Sequence, residues 1–244
     1  MKIRGVRYRI HKKKLARFGL LLACIALAIS VYMRRGFGNR AVLDAFNPVT
    51  GKVIVIDAGH GGIDAGVIGP RTGTREDDLN LAVARMLRKL FEESGARVIM
   101  TRDKKEGLYD NEGSYAQRKR QDMQRRKEII ANSNGDVLIS IHMNKFSQSQ
   151  YYGAQTFYQK GSEEGKRLAE TIQEEMVQVL DKNNKRQAKA SDYFILRAGS
   201  LPSVIVECGF MSNPKEEKLL VQPAYQEKIA WSIYSGTMRF FSEK

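Results

Sequence analysis

Two cysteines in 244 residues leave little scope for disulfide chemistry. Cys24 lies inside an apolar N-terminal run, so Cys208 has no partner in the rest of the chain, which excludes a disulfide-stapled domain. Cys208 reads instead as a small buried hydrophobe. Prolines are also few, five in all, and 42% of the residues are hydrophobic; both argue for a packed core over disorder. No internal repeat or low-complexity tract is present. Acidic residues are missing from positions 1–40, which hold 11 of the 41 Lys and Arg. The other 30 basic residues face 27 acidic ones, so the net charge of +14 belongs mostly to the N-terminus. Nucleic acid is therefore not expected as a partner.

The N-terminus carries its own pattern. Eight Lys and Arg lie between Lys2 and Arg17, the run "FGLLLACIALAISVYM" (residues 18–33) is uncharged, and Arg34 and Arg35 close it. A basic stretch before an apolar run predicts a membrane-targeting helix, read here as an uncleaved signal anchor. The run falls slightly short of the roughly 20 residues of a full span, and snorkelling flanks can cover the difference. Cleavage at the "ALA" of residues 26–28, or lipidation at Cys24, are the alternatives. Any of the three exports residues 36–244 and places the cytoplasmic membrane against residues 18–33. The expected organisation is a leader and anchor over 1–35, a linker over 36–50 and one globular domain over 51–244.

Within that domain strand-like and helix-like patterns alternate. "KVIVIDA", "ARVIMTRD", "DVLISIHMN" and "GAQTFYQ" read as strands, as do "YFILR" and "SVIVECG". Helices are predicted over 78–94, with Gly95 as the stop, and over 115–132, with Met123, Ile129 and Ile130 on its apolar side. A third runs from a Ser162 cap to Leu180, and two more start at Pro214 and Pro223. Alternation of this kind predicts an α/β domain: a mainly parallel, twisted sheet with helices on both faces.

The stretch "VIVIDAGHGG" (residues 53–62) could be a phosphate loop, a plain strand exit or a metal ligand at a sheet end. A Walker loop would end in Gly-Lys-Ser/Thr, which is absent, and Asp64 occupies the third glycine position of a dinucleotide fingerprint. Only three histidines exist. His11 belongs to the leader, whereas His60 and His142 both end predicted strands, the side of a parallel sheet where α/β folds bind ligands. Two histidines and a carboxylate with one open position are an established zinc set. Asp57, Asp64, Glu76, Asp77, Asp78 and Glu207 are the candidate third ligands. Glu76 opens a helix and can turn back over the strand end, although acidic residues at helix starts are favoured by the dipole alone. Glu207 ends the apolar strand "PSVIVE", where a carboxylate is costly unless paired or solvated.

Four segments, "IDAGHGGIDAG", "REDDLNLAVA", "VLISIHMN" and "PSVIVECGFMSNP", together resemble the zinc-dependent N-acetylmuramoyl-L-alanine amidases of the amidase-3 type. The similarity runs from about residue 52 to 241, with the motifs in the family's order. The resemblance implies that His60, Glu76 and His142 bind one zinc ion and that Glu207 is the catalytic carboxylate. It aligns the family's arginine with Arg126; Asp57 and Asn144 are further candidates for a supporting or substrate-contacting role. Ala58 stands where the family has proline, Asp77 where lysine is common, and Cys208 at a variable position. The implied reaction is hydrolysis of the amide between the lactyl group of N-acetylmuramic acid and L-alanine in peptidoglycan. A general cell-wall autolysin, a zinc carboxypeptidase or deacetylase on the same polymer, and a non-enzymatic envelope-binding domain are the rivals. The anchor, the short single-domain layout and the ending "SGTMRFFSEK" further resemble the germination-specific branch of the family. That branch implies a spore intermembrane location, muramic lactam as the eventual product, a peptidoglycan deacetylase acting in sequence and an accessory activating protein. Tyr151, Tyr152 and the basic helix from Arg118 to Lys127 are candidates for contact with glycan, the helix being read first as a solvated face.

Overall fold

Strand β1 (Val53–Ala58) is a β-branched run with its side chains buried on both faces, as a central parallel strand requires. The computed structural model describes Leu22, Ile25 and residues 47–243, so most of the expected targeting helix and linker lie outside the described residues. Among the described residues no helix is long and apolar enough to cross a membrane. After β1 come α1 (Glu76–Glu93), β2 (Arg97–Met100), α2 (Tyr115–Ala131), β3 (Val137–Asn144) and β4 (Gln155–Gln159). Helix α3 (Glu163–Val179), β5 (Lys189–Ser191), a 3₁₀ turn (Phe194–Arg197), β6 (Ser203–Phe210), α4 (Pro214–Leu220) and α5 (Pro223–Ser242) complete the order.

The six strands form one sheet in the order β2-β1-β3-β6-β4-β5. All neighbours run parallel except β6 and β4, so the sheet is mixed, with one antiparallel pairing in a mainly parallel frame. Side-chain alternation along β1 divides the core. Ile54 and Ile56 pack with Leu87 of α1, Ile172 of α3 and Ile233 of α5. Val55 faces the other way, towards Ile130 of α2 and Leu196 of the 3₁₀ turn. Helices thus cover both faces, as the pattern predicts.

The caps follow local chemistry. Ser114 and Gln117 form a reciprocal capping box at α2, Ser162 accepts from Gly165 N–H, and prolines occupy the first turns of α4 and α5. Two expectations are corrected. "YFILR" is not a strand but a 3₁₀ turn, because Ile195 and Leu196 are buried side by side while Tyr193 and Phe194 stay exposed. Adjacent burial suits a helical turn and breaks strand alternation. The edge strand is instead Lys189–Ser191, whose largely exposed residues carry no apolar pattern. The buried face of α2 also differs from the expected apolar stripe: beside Ile130 it carries Asp122 and Arg126.

Candidate active site

The C-terminal ends of three adjacent strands, β1, β3 and β6, bring His60, His142 and Glu207 together. His60 follows β1 with a left-handed backbone (φ 62°), a conformation that costs a non-glycine residue of order 1 kcal/mol or more. Two buried guanidinium groups hold it there. Arg126 donates to the carbonyls of Ala58 (2.8 Å) and His60 (2.5 Å). Arg102 donates to those of Ala58 (2.8 Å), Gly59 (2.9 Å) and Asp77 (2.9 Å). Glycine at position 59 is a steric requirement, since a Cβ there would collide with the His142 ring. A Cβ at Gly66 would likewise strike Glu76 and His60.

Glu76 is the hub. Its Oε1 lies 3.2 Å from His60 Nε2 and 3.1 Å from His142 Nδ1. The same oxygen accepts from Met143 N–H (3.1 Å) and from Asn80 Nδ2 (3.3 Å), while Oε2 accepts from Val67 N–H (2.8 Å). Burial opposes its charge, but hydrogen bonds to His142 and His60 prevail and hold the carboxyl well below its usual range. Asp77 and Asp78 point elsewhere, pairing with Arg75 and Lys105. Asp64 also stands outside the hub. Its Oδ2 meets His60 Nδ1 at 2.9 Å and Lys119 Nζ at 2.9 Å, orienting the imidazole from behind.

Asp57 lies behind Arg126, whose guanidinium also donates to the His60 carbonyl. It is fully buried and accepts from Arg126 (2.7 Å), Thr101 (2.6 Å) and Ser140 (2.6 Å). Burial alone would raise its pKa; the Arg126 charge and the two hydroxyls override that and hold it at about 2. Arg126 completes the group through Asp122, 2.6 Å away. Asn144 ends β3 opposite Phe210, its backbone carbonyl accepting from Met211, and is not brought into the site.

Glu207 pairs with His142 in the β3–β6 register, just before a bulge at which Gly209 takes a positive φ of 155°. Its Oε2 is buried without a hydrogen-bond partner. Burial pushes its pKa up to about 7, with His142 and His60 pulling down and Glu76 pushing up. A cavity of about 340 Å³ opens beside it, lined by His60, His142, Lys119, Tyr193 and Phe194 among others. Neighbouring Cys208 is buried, with its thiol pushed well above the usual value by burial and by Glu207, the opposite of an activated nucleophile.

Sequence reasoning missed Arg102 and Lys119, and placed Asp64 only among possible ligands. Their partners lie in other loops and helices, and no local spacing announces them.

The profile of the family Amidase_3, N-acetylmuramoyl-L-alanine amidase, matches residues 54–239. The chain belongs to this family. It is 35% identical over 235 residues to the germination-specific N-acetylmuramoyl-L-alanine amidase of Bacillus subtilis, covering 96% of this amidase and 98% of that one. The B. subtilis amidase LytC is 32% identical, but only 36% of its length is covered. Among solved structures, the CwlD amidase of Clostridioides difficile, in complex with the GerS lipoprotein, superposes with a TM-score of 0.78. It is 48% identical, over 79% of this chain and 100% of that one.

Proposed function

We propose that this amidase cleaves the bond between the lactyl group of N-acetylmuramic acid and L-alanine, with zinc held by His60, Glu76 and His142 and with Glu207 as general base. The donor set supports the metal: two imidazoles and a carboxylate offer atoms all within 4.8 Å of one another. The separations of 3.1 and 3.2 Å from Glu76 Oε1 suit the edges, roughly 3.3 Å, of a tetrahedron with 2.0–2.1 Å bonds. Zinc in such a site supplies Lewis acidity towards the amide carbonyl and the attacking water. Asp64 fixes the His60 ring. The observation that carries the catalytic reading is the unpartnered, buried Oε2 of Glu207, a residue that lines the cavity shared by His60 and His142. Its raised pKa suits a group that takes a proton from water and returns it to the leaving alanine nitrogen near neutral pH.

The test is Glu207→Gln. The expected outcome is undiminished zinc by elemental analysis, with release of intact stem peptides from peptidoglycan lowered by on the order of a hundredfold or more. Mass spectrometry of the digest separates an amidase, which frees whole stems and unsubstituted muramic acid, from a carboxypeptidase or deacetylase. Turnover at the wild-type rate by the variant would remove Glu207 from the chemistry.

The finer role is supported by likeness: the germination-specific relative is 35% identical over 235 residues, and the CwlD amidase is 48% identical. We therefore assign the enzyme to the spore cortex, where a deacetylase acting in sequence would lead to muramic lactam. Residues 1–35 would anchor it and 36–50 would tether the catalytic domain on the outer side of the cytoplasmic membrane, in the spore intermembrane space. The CwlD–GerS complex makes a lipoprotein the candidate activating partner.

A further inference from the structure

The loop "KFSQSQYY" (residues 145–152) joins β3 to β4 and is exposed throughout. Phe146, Tyr151 and Tyr152 keep 48%, 40% and 47% of their surface in water. Three large rings so exposed on one short loop form a patch of the kind that marks a binding site. The patch is fastened in place. Phe146 N–H donates to Ser212 Oγ (3.0 Å), Asn213 Nδ2 to the carbonyls of Ser149 (2.9 Å) and Tyr151 (3.2 Å), and Arg186 Nε to that of Tyr152 (2.7 Å). The Phe146 and Tyr151 rings meet edge to face, 4.6 Å between centroids, so two apolar surfaces are already ordered before anything binds.

Position gives the patch its meaning. Lys145 lies three residues beyond His142, and Tyr152 three residues before Gln155, the cross-strand partner of Glu207. At about 3.3 Å per residue both ends of the loop fall within roughly 10 Å of the catalytic strands. A groove of about 640 Å³ runs beside it, lined by Gln150, Tyr152, Asn213, Glu216, Leu219 and Tyr225, within the range of about 300–1,000 Å³ usual for small-molecule sites. Between the rings stand Ser147, Gln148, Ser149 and Gln150, and the loop has no acidic residue. Flat apolar faces interleaved with amide and hydroxyl groups match a pyranose, which offers an apolar C–H face and a rim of hydroxyls.

We propose that residues 145–152 form a saccharide platform that holds the glycan strand on the sugar side of the scissile amide, beyond the muramoyl residue itself. The proposal rests on the muramoyl–alanine reading of the active site. It makes Phe146, Tyr151 and Tyr152 determinants of polymer preference, not of bond cleavage.

The experiment uses the full-length protein and F146A/Y151A/Y152A, with Tyr152→Ser as a milder second variant. Binding is measured to purified glycan strands stripped of their stem peptides, which contain no scissile amide. The expected result is a loss of strand affinity on the order of tenfold for the triple variant and a smaller loss for the single one. KM for intact peptidoglycan rises in step, while kcat/KM on a monosaccharide muramoyl dipeptide stays at the wild-type level. Undiminished strand binding by the triple variant overturns the platform and transfers the exposed rings to a protein partner. Equal losses on the polymer and on the monosaccharide overturn it too, because the loop would then act on the active site itself. If wild-type protein frees no stem peptides from intact peptidoglycan, the cleavage reading fails while the binding measurement still judges the platform.

Discussion

Asp64 has two duties on one oxygen, and the consequences fall on His60. Its Oδ2 is 2.9 Å from the imidazole Nδ1 and 2.9 Å from the Lys119 ammonium, and both partners stabilise its charge against burial. A carboxylate behind a ligating imidazole fixes the tautomer and the ring plane. Asp64→Asn keeps the shape but removes the charge. The expected outcome is zinc bound about 10–100-fold more weakly, read by competition with a chelator of known affinity. Affinity equal to wild type would show the Asp64–His60 bond to be idle in metal binding. Glu207 differs from Asp64 in having no partner on its inner oxygen. The two acids are therefore separated by their surroundings: one is spent on orientation, the other kept available for a proton.

At the scale of elements, the site is a meeting of strand ends that are neighbours in the sheet, and each end is prepared differently. After β1 the chain turns through Gly59 and a left-handed His60 while Arg102 and Arg126 clamp its carbonyls. Gly59→Ala places a Cβ into the His142 ring. The fold is expected to survive, since the core of Ile54, Ile56 and Leu87 lies below the turn. Zinc content should fall sharply, and a variant with full metal and an unchanged melting temperature would deny the turn its steric role. Much of this was legible beforehand. The run "VIVIDA" reads as a buried strand, and His60, His142 and Glu207 each sit where such a run ends, so position was enough to put them at one end of the sheet, while their roles came with the family resemblance. Glu76 needed the family resemblance, because Asp77 and Asp78 share its place at a helix start; only their partners, Arg75 and Lys105, separate them. Arg102 and the partners of Asp57 were invisible, since the bonds involved join segments 25 to 83 residues apart. "YFILR" misled because its β-like composition serves a turn half open to solvent.

Across the whole molecule, the buried cluster of Asp57, Arg126 and Asp122 joins β1 to α2, with Thr101 drawing in the end of β2 and Ser140 the middle of β3. Its cost and benefit appear in acid. Asp57 has a pKa of about 2 in the folded chain against an ordinary 3.8. Between those values the unfolded chain binds a proton that the folded one does not, so stability is fully present above about pH 4 and declines as pH falls towards 2. The contribution at stake is about 2 kcal/mol. Urea unfolding of wild type and Asp57→Asn at pH 5 and pH 2.5 checks it: the stability gap between the two proteins should narrow in acid. A constant gap would mean that Asp57 has the same pKa in the folded and the unfolded chain. Cys208 has a further consequence at this scale. Its thiol is sealed in the core and held protonated, so alkylating reagents have no foothold among residues 47–243. With Cys24 replaced, one cysteine introduced on the surface becomes a unique attachment point, and a single fluorophore or spin label can then follow the enzyme along its polymer without disturbing the catalytic strands.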